Sequence, residues 1–361
     1  MSQEEQLKAI RGRIDALDLE ILRLISERAE CAQEVARIKL EGGGEAHFYR
    51  PEREAQVLRS VMEKNQGPLS DEEVARLFRE VMSACLALEQ PLTIAYLGPE
   101  GTFTQEASLK HFGHSVSTMA MDTIDHVFRE VEAGVCNYGV VPIENSTEGV
   151  VSHTLDMFMQ SPLQVCGEVE LRIHQNLLGK MDSLDQVKRI YSHQQSLAQC
   201  REWLDTNLPG IERIPVNSNA EAARLAAREE GSAAIAGEVA AATYELNRLA
   251  SNIEDHPENT TRFLIIGKQV VPASGQDKTS LLVSTPNQSG SLYRLLKPLA
   301  DNDVSMTRIE SRPSHCANWE YVFFLDLQGH QDDEKVSVAL EALSKEADLL
   351  KILGSYPRAV L

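Results

Sequence analysis

The sequence predicts a multidomain fold in which an all-α helical segment precedes a two-lobed α/β segment and a βαββαβ ferredoxin-like segment. A seven-residue apolar repeat runs through residues 7–38 and predicts one long helix. After Pro91, apolar strands alternate with amphipathic helices, as in layered α/β domains. Beyond a polar linker that begins at Pro272, the predicted order of elements becomes βαββαβ. The predicted domains are residues 1–91, 92–272 and 273–361.

Composition restricts the classes of protein and partner. The chain has 361 residues, more than one typical core accommodates, and 42% of them are apolar. Its formal charge of −19 disfavours nucleic acid as a partner but leaves a small anionic substrate open. No apolar run approaches the ~20 residues that span a bilayer, and the N-terminus lacks a signal-peptide core, which predicts a cytoplasmic protein without membrane contact. The six cysteines form no CxxC pair, and neither a metal nor another cofactor has a signature.

The predicted long helix carries one residue that does not suit its apolar seam. The seam consists of Leu7, Ile10, Ile14, Leu17, Ile21, Leu24, Cys31, Val35 and Ile38. Arg28 interrupts it, and because a buried unpaired guanidinium is very costly, an anion must come from a partner helix or a ligand. Lys39 lies about three turns later on nearly the same face, and Arg11 about a quarter turn off that line. A helical dimerisation module and an anion site are both open at this point.

Two shorter helices follow the long one. Gly42-Gly43-Gly44 ends the first helix, and Pro51 suits the first position of a second helix that carries Arg53 and Glu54. Ser70-x-x-Glu73 is a capping box and predicts a third helix that runs to about Glu89.

Short polar side chains accompany two apolar runs of the second segment. The run that ends at Val141 meets Pro142, which should end a central strand, and residues 144–148 are Glu-Asn-Ser-Thr-Glu. Residues 259–262, Asn-Thr-Thr-Arg, precede another apolar run that should return to the first lobe. Ligands of open α/β sheets bind beyond the carboxyl ends of strands, so two such clusters predict one cleft. The Gly-rich turn 98–104, with Thr104 as a predicted N-cap, adds helix N–H groups that suit an anion.

Several of these segments resemble the motifs of one family. PIENSTEG at 142–149, TRF at 261–263, GPEGTFT at 98–104 and ESRP at 310–313 resemble those of the bifunctional chorismate mutase–prephenate dehydratases of phenylalanine biosynthesis. The resemblance covers essentially the whole chain. It implies a helical mutase module, a dehydratase module similar to type 2 periplasmic binding proteins, and an ACT regulatory domain.

For the helical module, the resemblance implies an intertwined homodimer, or a higher homo-oligomer, that rearranges chorismate to prephenate. Arg11 and Arg28 would clamp the substrate carboxylates, and Lys39 would face the breaking ether oxygen. The other matching positions are Arg53, Glu54, Cys85 and Glu89. The sequence departs from the common pattern at Arg50, Cys85 and Glu89, where an acid, a Ser and a Gln are usual.

For the two-lobed module, the resemblance implies that Thr261 donates to the hydroxyl that leaves when prephenate becomes phenylpyruvate. The residues implied to bind this substrate are Thr102, Glu144, Asn145, Ser146, Ser192, Gln199 and Arg262. Because a threonine is a poor acid, Glu144 with a raised pKa is an alternative proton source, and the choice stays open.

For the third segment, the resemblance implies feedback inhibition by L-phenylalanine. The implied effector residues are Gly290, Leu292, Asn302, Glu310, Ser311 and Arg312. The simpler alternative is that Arg312 only pairs with Glu310 and that the domain only dimerises. Two rival functions are an arogenate dehydratase, which the attached mutase disfavours, and a two-lobed solute-binding or sensor protein. The lack of an export signal disfavours the transport form of the latter.

Overall fold

The structure of the protein is a computed structural model that describes residues 2–42, 47–286, 288–313 and 321–361. The helical module consists of α1 (Gln3–Glu41), α2 (Pro51–Lys64) and α3 (Asp71–Glu89). The predicted start at Pro51 and end near Glu89 are confirmed. Gly42 is the C-cap of α1, whereas Gly43 and Gly44 lie outside the described residues.

Side-chain caps begin two of these helices. Ser2 and Glu5 form a reciprocal capping box at α1. At α3, the Ser70 hydroxyl accepts from the Glu73 N–H at 3.2 Å. The reciprocal half of the predicted box is replaced, because the Glu73 carboxylate accepts from Arg76 at 2.8 Å.

Most residues of α1 are exposed in the part of the chain that the structure describes. Only Ala32 and Ala36 of this helix are buried, and its C-terminal part packs against α3. The apolar seam that the sequence predicts is present but lies in solvent, with its Leu, Ile and Val side chains 43% to 60% exposed. An apolar stripe of this length is stable in water only when another surface covers it.

The first lobe of the α/β module begins with strands that alternate with helices. Its elements are β1 (Thr93–Leu97), α4 (Phe103–Phe112), β2 (Ser117–Met121), α5 (Ile124–Ala133), β3 (Tyr138–Asn145), β4 (Gly149–Val150), α6 (Ser152–Gln160) and β5 (Gln164–Arg172). The predicted N-cap at Thr104 is wrong, because Thr102 caps α4 and Thr104 lies within the helix. The helix therefore starts closer to the end of β1 than the sequence suggested.

The second lobe is a separate sheet with its own helices. Its elements are β6 (Asn176–Gly179), a 3₁₀ turn (Leu184–Gln186), β7 (Arg189–His193), α7 (Gln194–Gln199), α8 (Arg201–Asn207), β8 (Glu212–Val216), α9 (Asn219–Ala226), β9 (Ser232–Ala236), α10 (Glu238–Tyr244) and β10 (Asn247–Ala250). The strand order is β10-β6-β9-β7-β8.

The next strand, β11 (Thr260–Gly267), returns to the first lobe, as predicted. It lies antiparallel between β3 and β5 in the order β2-β1-β3-β11-β5. The prediction that Pro142 ends its strand is wrong, because β3 continues to Asn145. The register of β3 and β11 shifts beside Pro142, and such a bulge accommodates a residue that has no N–H to donate.

The third module confirms the predicted βαββαβ order. Its elements are β12 (Asp277–Ser284), α11 (Ser291–Asp301), β13 (Met306–Pro313), β14 (Tyr321–Gln328), α12 (Glu334–Glu346) and β15 (Leu349–Pro357), with strand order β13-β14-β12-β15. Side chains from three strands enter the core of the first lobe: Leu282 of β12, Val322 and Phe324 of β14, and Leu353 and Tyr356 of β15. A Cβ at Gly354 would overlap the backbone of Val165, so the two domains approach here at a distance that only glycine permits.

Buried charges join the third module to the first lobe. The Arg262 guanidinium contacts Glu168 Oε2 at 2.8 Å and Asp326 Oδ2 at 2.5 Å. Lys278 also binds Glu168, at 2.8 Å, and the backbone N–H of Ala359 donates to the other oxygen of the same carboxylate at 3.1 Å. Two cations and two carboxylates therefore balance in this junction.

None of the helices in the described ranges combines the length and apolar character that crossing a membrane requires.

We expect Glu168→Gln to lower the free energy of unfolding by about 3 kcal/mol, because it leaves Lys278 without its carboxylate and removes one of the two that hold Arg262. Thermal denaturation measures this as a lower Tm. Glu170→Gln, on the same strand but exposed, is the matched control and should leave Tm nearly unchanged. Equal Tm values for both variants would contradict a stabilising role for the junction.

Candidate active sites

The helical module brings several of the predicted residues together. Lys39 and Arg28 lie on α1, Glu54 on α2 and Glu89 on α3. The Lys39 ammonium is 3.9 Å from Glu89 Oε2 and donates to the carbonyl of His47 at 3.1 Å. Burial raises the pKa of Glu89, although Lys39 and Arg28 act in the opposite direction. The Oε2 atom of Glu89 is buried and has no hydrogen-bond partner among the described residues.

Glu54 is tied to a residue that sequence reasoning missed. Arg79 Nε lies 3.3 Å from Glu54 Oε1, and Arg79 Nη1 donates to the carbonyl of Lys110 on α4 at 2.7 Å. Burial raises the pKa of Glu54, and Arg79 and Arg28 oppose that shift. The available signal was a charged residue in the apolar stripe of α3, one turn from Ala75 and from Met82.

Three of the predicted mutase residues do not belong to the group formed by Arg28, Lys39, Glu54 and Glu89. Arg11 is exposed, nearly five turns before Arg28 on one continuous helix, which is about 25 Å along the axis. Arg53 is exposed on α2. Cys85 is buried on α3, one turn before Glu89. One chain therefore brings Arg28, Lys39, Glu54 and Glu89 near one another without Arg11.

A cleft of about 320 Å³ separates the two lobes of the α/β module. Polar side chains from both lobes line it: Thr102, Asn145, Glu148, Asn259 and Thr261 from the first, and Gln175, His193, Gln195, Ser196, Gln199 and Asn219 from the second. Gln195 donates to Glu148 across the opening. The cleft thus contains Thr102, Asn145, Gln199 and Thr261 of the predicted set.

The contact between Asn145 and Thr261 has a defined direction. Asn145 Oδ1 accepts from the backbone N–H groups of Thr147 at 2.9 Å and Glu148 at 3.1 Å. Since a backbone N–H can only donate, these bonds identify the oxygen of the amide, and Asn145 Nδ2 must donate to Thr261 Oγ1 at 2.7 Å. The Thr261 hydroxyl proton is therefore left to point elsewhere.

A similar network orients Asn219 in the second lobe. Its Oδ1 accepts from the His193 N–H at 3.1 Å and from the Ser192 hydroxyl at 2.9 Å, and its Nδ2 donates to Ser196 at 2.9 Å. Ser192 is fully buried and does not line the cleft, so it acts behind Asn219. Ser218, and not Asn219, is the N-cap of α9.

The structure does not bring Glu144 and Arg262 into the cleft, which corrects the prediction that they line it. They are register partners on β3 and β11, next to the pair Asn145 and Thr261. Successive side chains of a strand point to opposite faces, so one pair faces the cleft and the other faces the third module. Glu144 pairs there with Arg308 at 3.0 Å. Ser146 is not among the residues that line the cleft, but its hydroxyl contacts one of them, Asn259, at 3.4 Å.

Lys and Arg are missing from the described side chains that line the cleft. Two helices begin at it instead: α4, capped by Thr102, and α9, capped by Ser218. The free N–H groups and the dipole of a helix N-terminus favour anions. The cleft can therefore receive carboxylates through helix ends and neutral donors.

The predicted effector residues fall into separate groups. Gly290 is the N-cap of α11 at φ +78°, with Leu292 partly exposed in the first turn. Asn302 lies at the opposite end of α11, about 18 Å away along the axis. Ser311 is exposed on β13, the edge strand of its sheet.

Arg312 makes neither of the contacts expected for it. Its guanidinium binds both oxygens of Asp156 on α6 at 3.0 Å and the Ser152 hydroxyl at 3.0 Å. The alternative that it pairs with Glu310 is wrong, and its placement corrects the expectation of a free effector ligand. A carboxylate from the neighbouring domain outcompetes one on the same strand because it reaches the guanidinium as a two-oxygen fork.

Comparison with known proteins agrees with this arrangement. Family profiles match residues 10–90 as chorismate mutase type II, 94–270 as prephenate dehydratase and 279–345 as an ACT domain. A bifunctional chorismate mutase/prephenate dehydratase of Stutzerimonas stutzeri is 60% identical over 365 residues, covering 100% of both chains. One of Pseudomonas aeruginosa is 59% identical, again over 100% of both. This chain belongs to the bifunctional chorismate mutase/prephenate dehydratase family.

A solved structure supports the assignment for the second and third modules. Prephenate dehydratase from Arthrobacter aurescens, in complex with L-Phe, has a TM-score of 0.69 and 34% identity, covering 74% of this chain and 90% of its own. The chain carries chorismate mutase and prephenate dehydratase activities, with chorismate and prephenate as substrates. Membership of the family thus identifies the two reactions of this chain as those of a chorismate mutase and a prephenate dehydratase.

Proposed function

We propose that chorismate rearranges in the pocket between α1, α2 and α3, and that prephenate loses carbon dioxide and hydroxide in the cleft between the lobes. The observation that carries the second assignment is the directed bond from Asn145 to Thr261. The matched profile ranges lie inside the domain limits 1–91, 92–272 and 273–361, which we propose as the three functional units.

The mutase reaction needs no nucleophile and no proton transfer. A pericyclic rearrangement is accelerated by holding the reactive conformer and by placing positive charge or a donor at the breaking ether oxygen. Arg28 and Lys39 supply the cations. Glu89, with its pKa raised by burial, supplies a donor only in its neutral form, because its carboxylate would repel the charge that grows on that oxygen.

A second copy of the chain completes the mutase pocket. The exposed seam of α1 needs a cover of similar length, and another α1 provides one. Arg11 is too far from Arg28 along its own helix to serve the same pocket. In a homodimer with paired α1 helices, the partner's Arg11 would reach it and clamp a carboxylate.

The dehydratase cleft suits the removal of hydroxide. Asn145 donates to Thr261 and thereby leaves the Thr261 proton for the departing ring oxygen. A hydrogen bond that strengthens as charge develops on that oxygen lowers the barrier. The two carboxylates of prephenate are met by the N-termini of α4 and α9 and by amide donors such as Gln199. Glu144 is paired with Arg308 outside the cleft, which disfavours it as the proton source.

L-phenylalanine inhibits the dehydratase through the third module in this proposal. The support is the ACT profile match and the L-Phe complex of the Arthrobacter aurescens relative. Gly290 and Leu292 begin α11 beside the edge of the module, at a distance from the cleft, and two distinct sites are what allostery requires. Because Asn302 lies at the far end of α11, an effector site that uses it would combine residues of two subunits.

Thr261→Ala should lower dehydratase turnover by about two to three orders of magnitude, because it removes the donor to the leaving oxygen. Incubation of the purified protein with chorismate should then accumulate prephenate in place of phenylpyruvate. The control is Thr260→Ala, whose hydroxyl makes one hydrogen bond among the described residues, to the carbonyl of Glu258. Full phenylpyruvate formation by Thr261→Ala would refute the assignment, and loss of the mutase activity would indicate misfolding.

Glu89→Gln should flatten the pH profile of the mutase. Burial raises the pKa of Glu89, so the neutral donor persists above the usual carboxyl pKa of about 4.3 and is lost as pH rises further. Wild-type kcat should therefore fall with rising pH, whereas the amide stays neutral throughout. Measuring kcat from roughly pH 4.5 to 9 compares the two. Superimposable profiles would exclude Glu89 from the ether oxygen.

Gly290→Ala should weaken inhibition by L-phenylalanine by about tenfold, because a Cβ at φ +78° strains the start of α11 and lies 3.2 Å from Arg294 Nη1. The measurement is the L-phenylalanine concentration that halves dehydratase activity. Gly275→Ala is the matched control, since it has φ +93° but open space around it. An unchanged inhibition curve for Gly290→Ala would count against this effector site.

A further inference from the structure

Strand β13 of the third module contacts the dehydratase domain through arginines on one face. Arg308 and Arg312 share that face because strand side chains alternate. Arg308 Nε binds Glu144 Oε2 at 3.0 Å, and its side chain is only 11% exposed. The Nη2 atom of Arg308 is buried and makes no hydrogen bond within the described chain. Among the described residues, Glu144 is the carboxylate that forms an ion pair with this guanidinium. Asp326, the other nearby carboxylate, is already engaged by Arg262 and Ser280.

Glu144 is the covalent neighbour of the cleft residue Asn145. Both belong to the carboxyl end of β3, where Glu144 faces Arg262 and Asn145 faces Thr261 in the ladder with β11. The ladder is irregular at the very next step, where the register shifts. On the β11 side, backbone pairing therefore holds this end of β3 less firmly than a regular ladder would, while the two-residue strand β4 pairs with Glu144 and Asn145 on the other side.

We propose that Arg308 and Glu144 are positioning residues for the dehydratase reaction. Their ion pair holds the end of β3 from the side of the ACT domain, and it keeps Asn145 Nδ2 at 2.7 Å from Thr261 Oγ1 on the side of the cleft. A residue of the regulatory domain thus helps to direct the Thr261 proton. The inference rests on the proposed role of Thr261 and adds to it a residue that touches no substrate.

The same strand offers a matched comparison. Arg312 binds Asp156 with equally short contacts, but Asp156 lies on α6, which contributes no side chain to the lining of the cleft. Both pairs join the same two domains. Of the two ion pairs, only that of Arg308 and Glu144 is adjacent to a cleft residue. A comparison of variants of the two pairs therefore distinguishes an effect of domain docking in general from an effect on the position of Asn145.

The test compares dehydratase kcat and KM of the full chain for Glu144→Gln, Arg308→Gln, their combination and Asp156→Asn. We expect each of the first two to lower kcat by about tenfold with little change in KM, because the lost ion pair acts here on the Asn145 contact. The double variant should fall no further than the singles, since both remove one interaction. Asp156→Asn and the mutase activity of all variants should stay near wild type.

Several outcomes would overturn the inference. They are unchanged dehydratase kcat in both single variants, multiplied losses in the double variant, an equal loss in Asp156→Asn, or a parallel loss of mutase activity. Arg308→Lys, which keeps the charge, should retain most of the activity and guards against a fold that is disrupted by the Gln variant. If Thr261→Ala keeps full turnover, the proposed site itself fails. If Thr261→Ala loses turnover but the Arg308 and Glu144 variants keep the wild-type dehydratase kcat, the proposed site is supported and the positioning role is refuted.

Discussion

The buried ion cluster around Arg262 is the interaction on which the relative placement of the dehydratase and ACT domains depends. A guanidinium in a core is tolerated only when carboxylates compensate it, and here Glu168 and Asp326 come from different domains. Burial alone would raise the pKa of Asp326, but Arg262, Ser280 and Arg308 hold it below its ordinary value, so the carboxylate stays charged. Separation of the domains would take Asp326 away from Arg262 and Lys278 away from Glu168, whereas Arg262 and Glu168 would stay together on β11 and β5. The cluster therefore makes one docking geometry strongly preferred.

The strands β3 and β11 present different chemistry on their two faces. One face carries Asn145 and Thr261 toward the cleft, and the other carries Glu144 and Arg262 toward the ACT domain. Because both faces belong to the same strands, a displacement of β3 or β11 at the ACT contact would also move the cleft residues beside it. This arrangement offers a short physical connection between an effector domain and a reaction site, without a chain of intermediate side chains.

The helical module is attached to the dehydratase domain through its α2 and α3 side, opposite to the exposed part of α1. Tyr49 enters an aromatic cluster with Phe112 and Tyr138, and its hydroxyl bonds His111 Nε2 at 2.9 Å. Burial lowers the pKa of His111 and raises that of Tyr49, so this contact stays neutral. Arg79 adds a polar bridge from Glu54 to α4. The neighbouring domain thus contacts the helical module beside Glu54, whereas most of α1 is exposed.

Local patterns in the sequence determined the elements and the modules. The heptad seam, the Pro51 start and the βαββαβ order are each set by neighbours in the chain, and the structure has them. The side to which a residue points was decided only by tertiary structure. Glu144 and Arg262 belong to the right motifs but face the ACT domain, Arg312 binds Asp156, and Arg79 joins the mutase pocket. A strand has two faces, and which of them becomes a cleft depends on the domain that packs against the other, a contact between residues far apart in sequence.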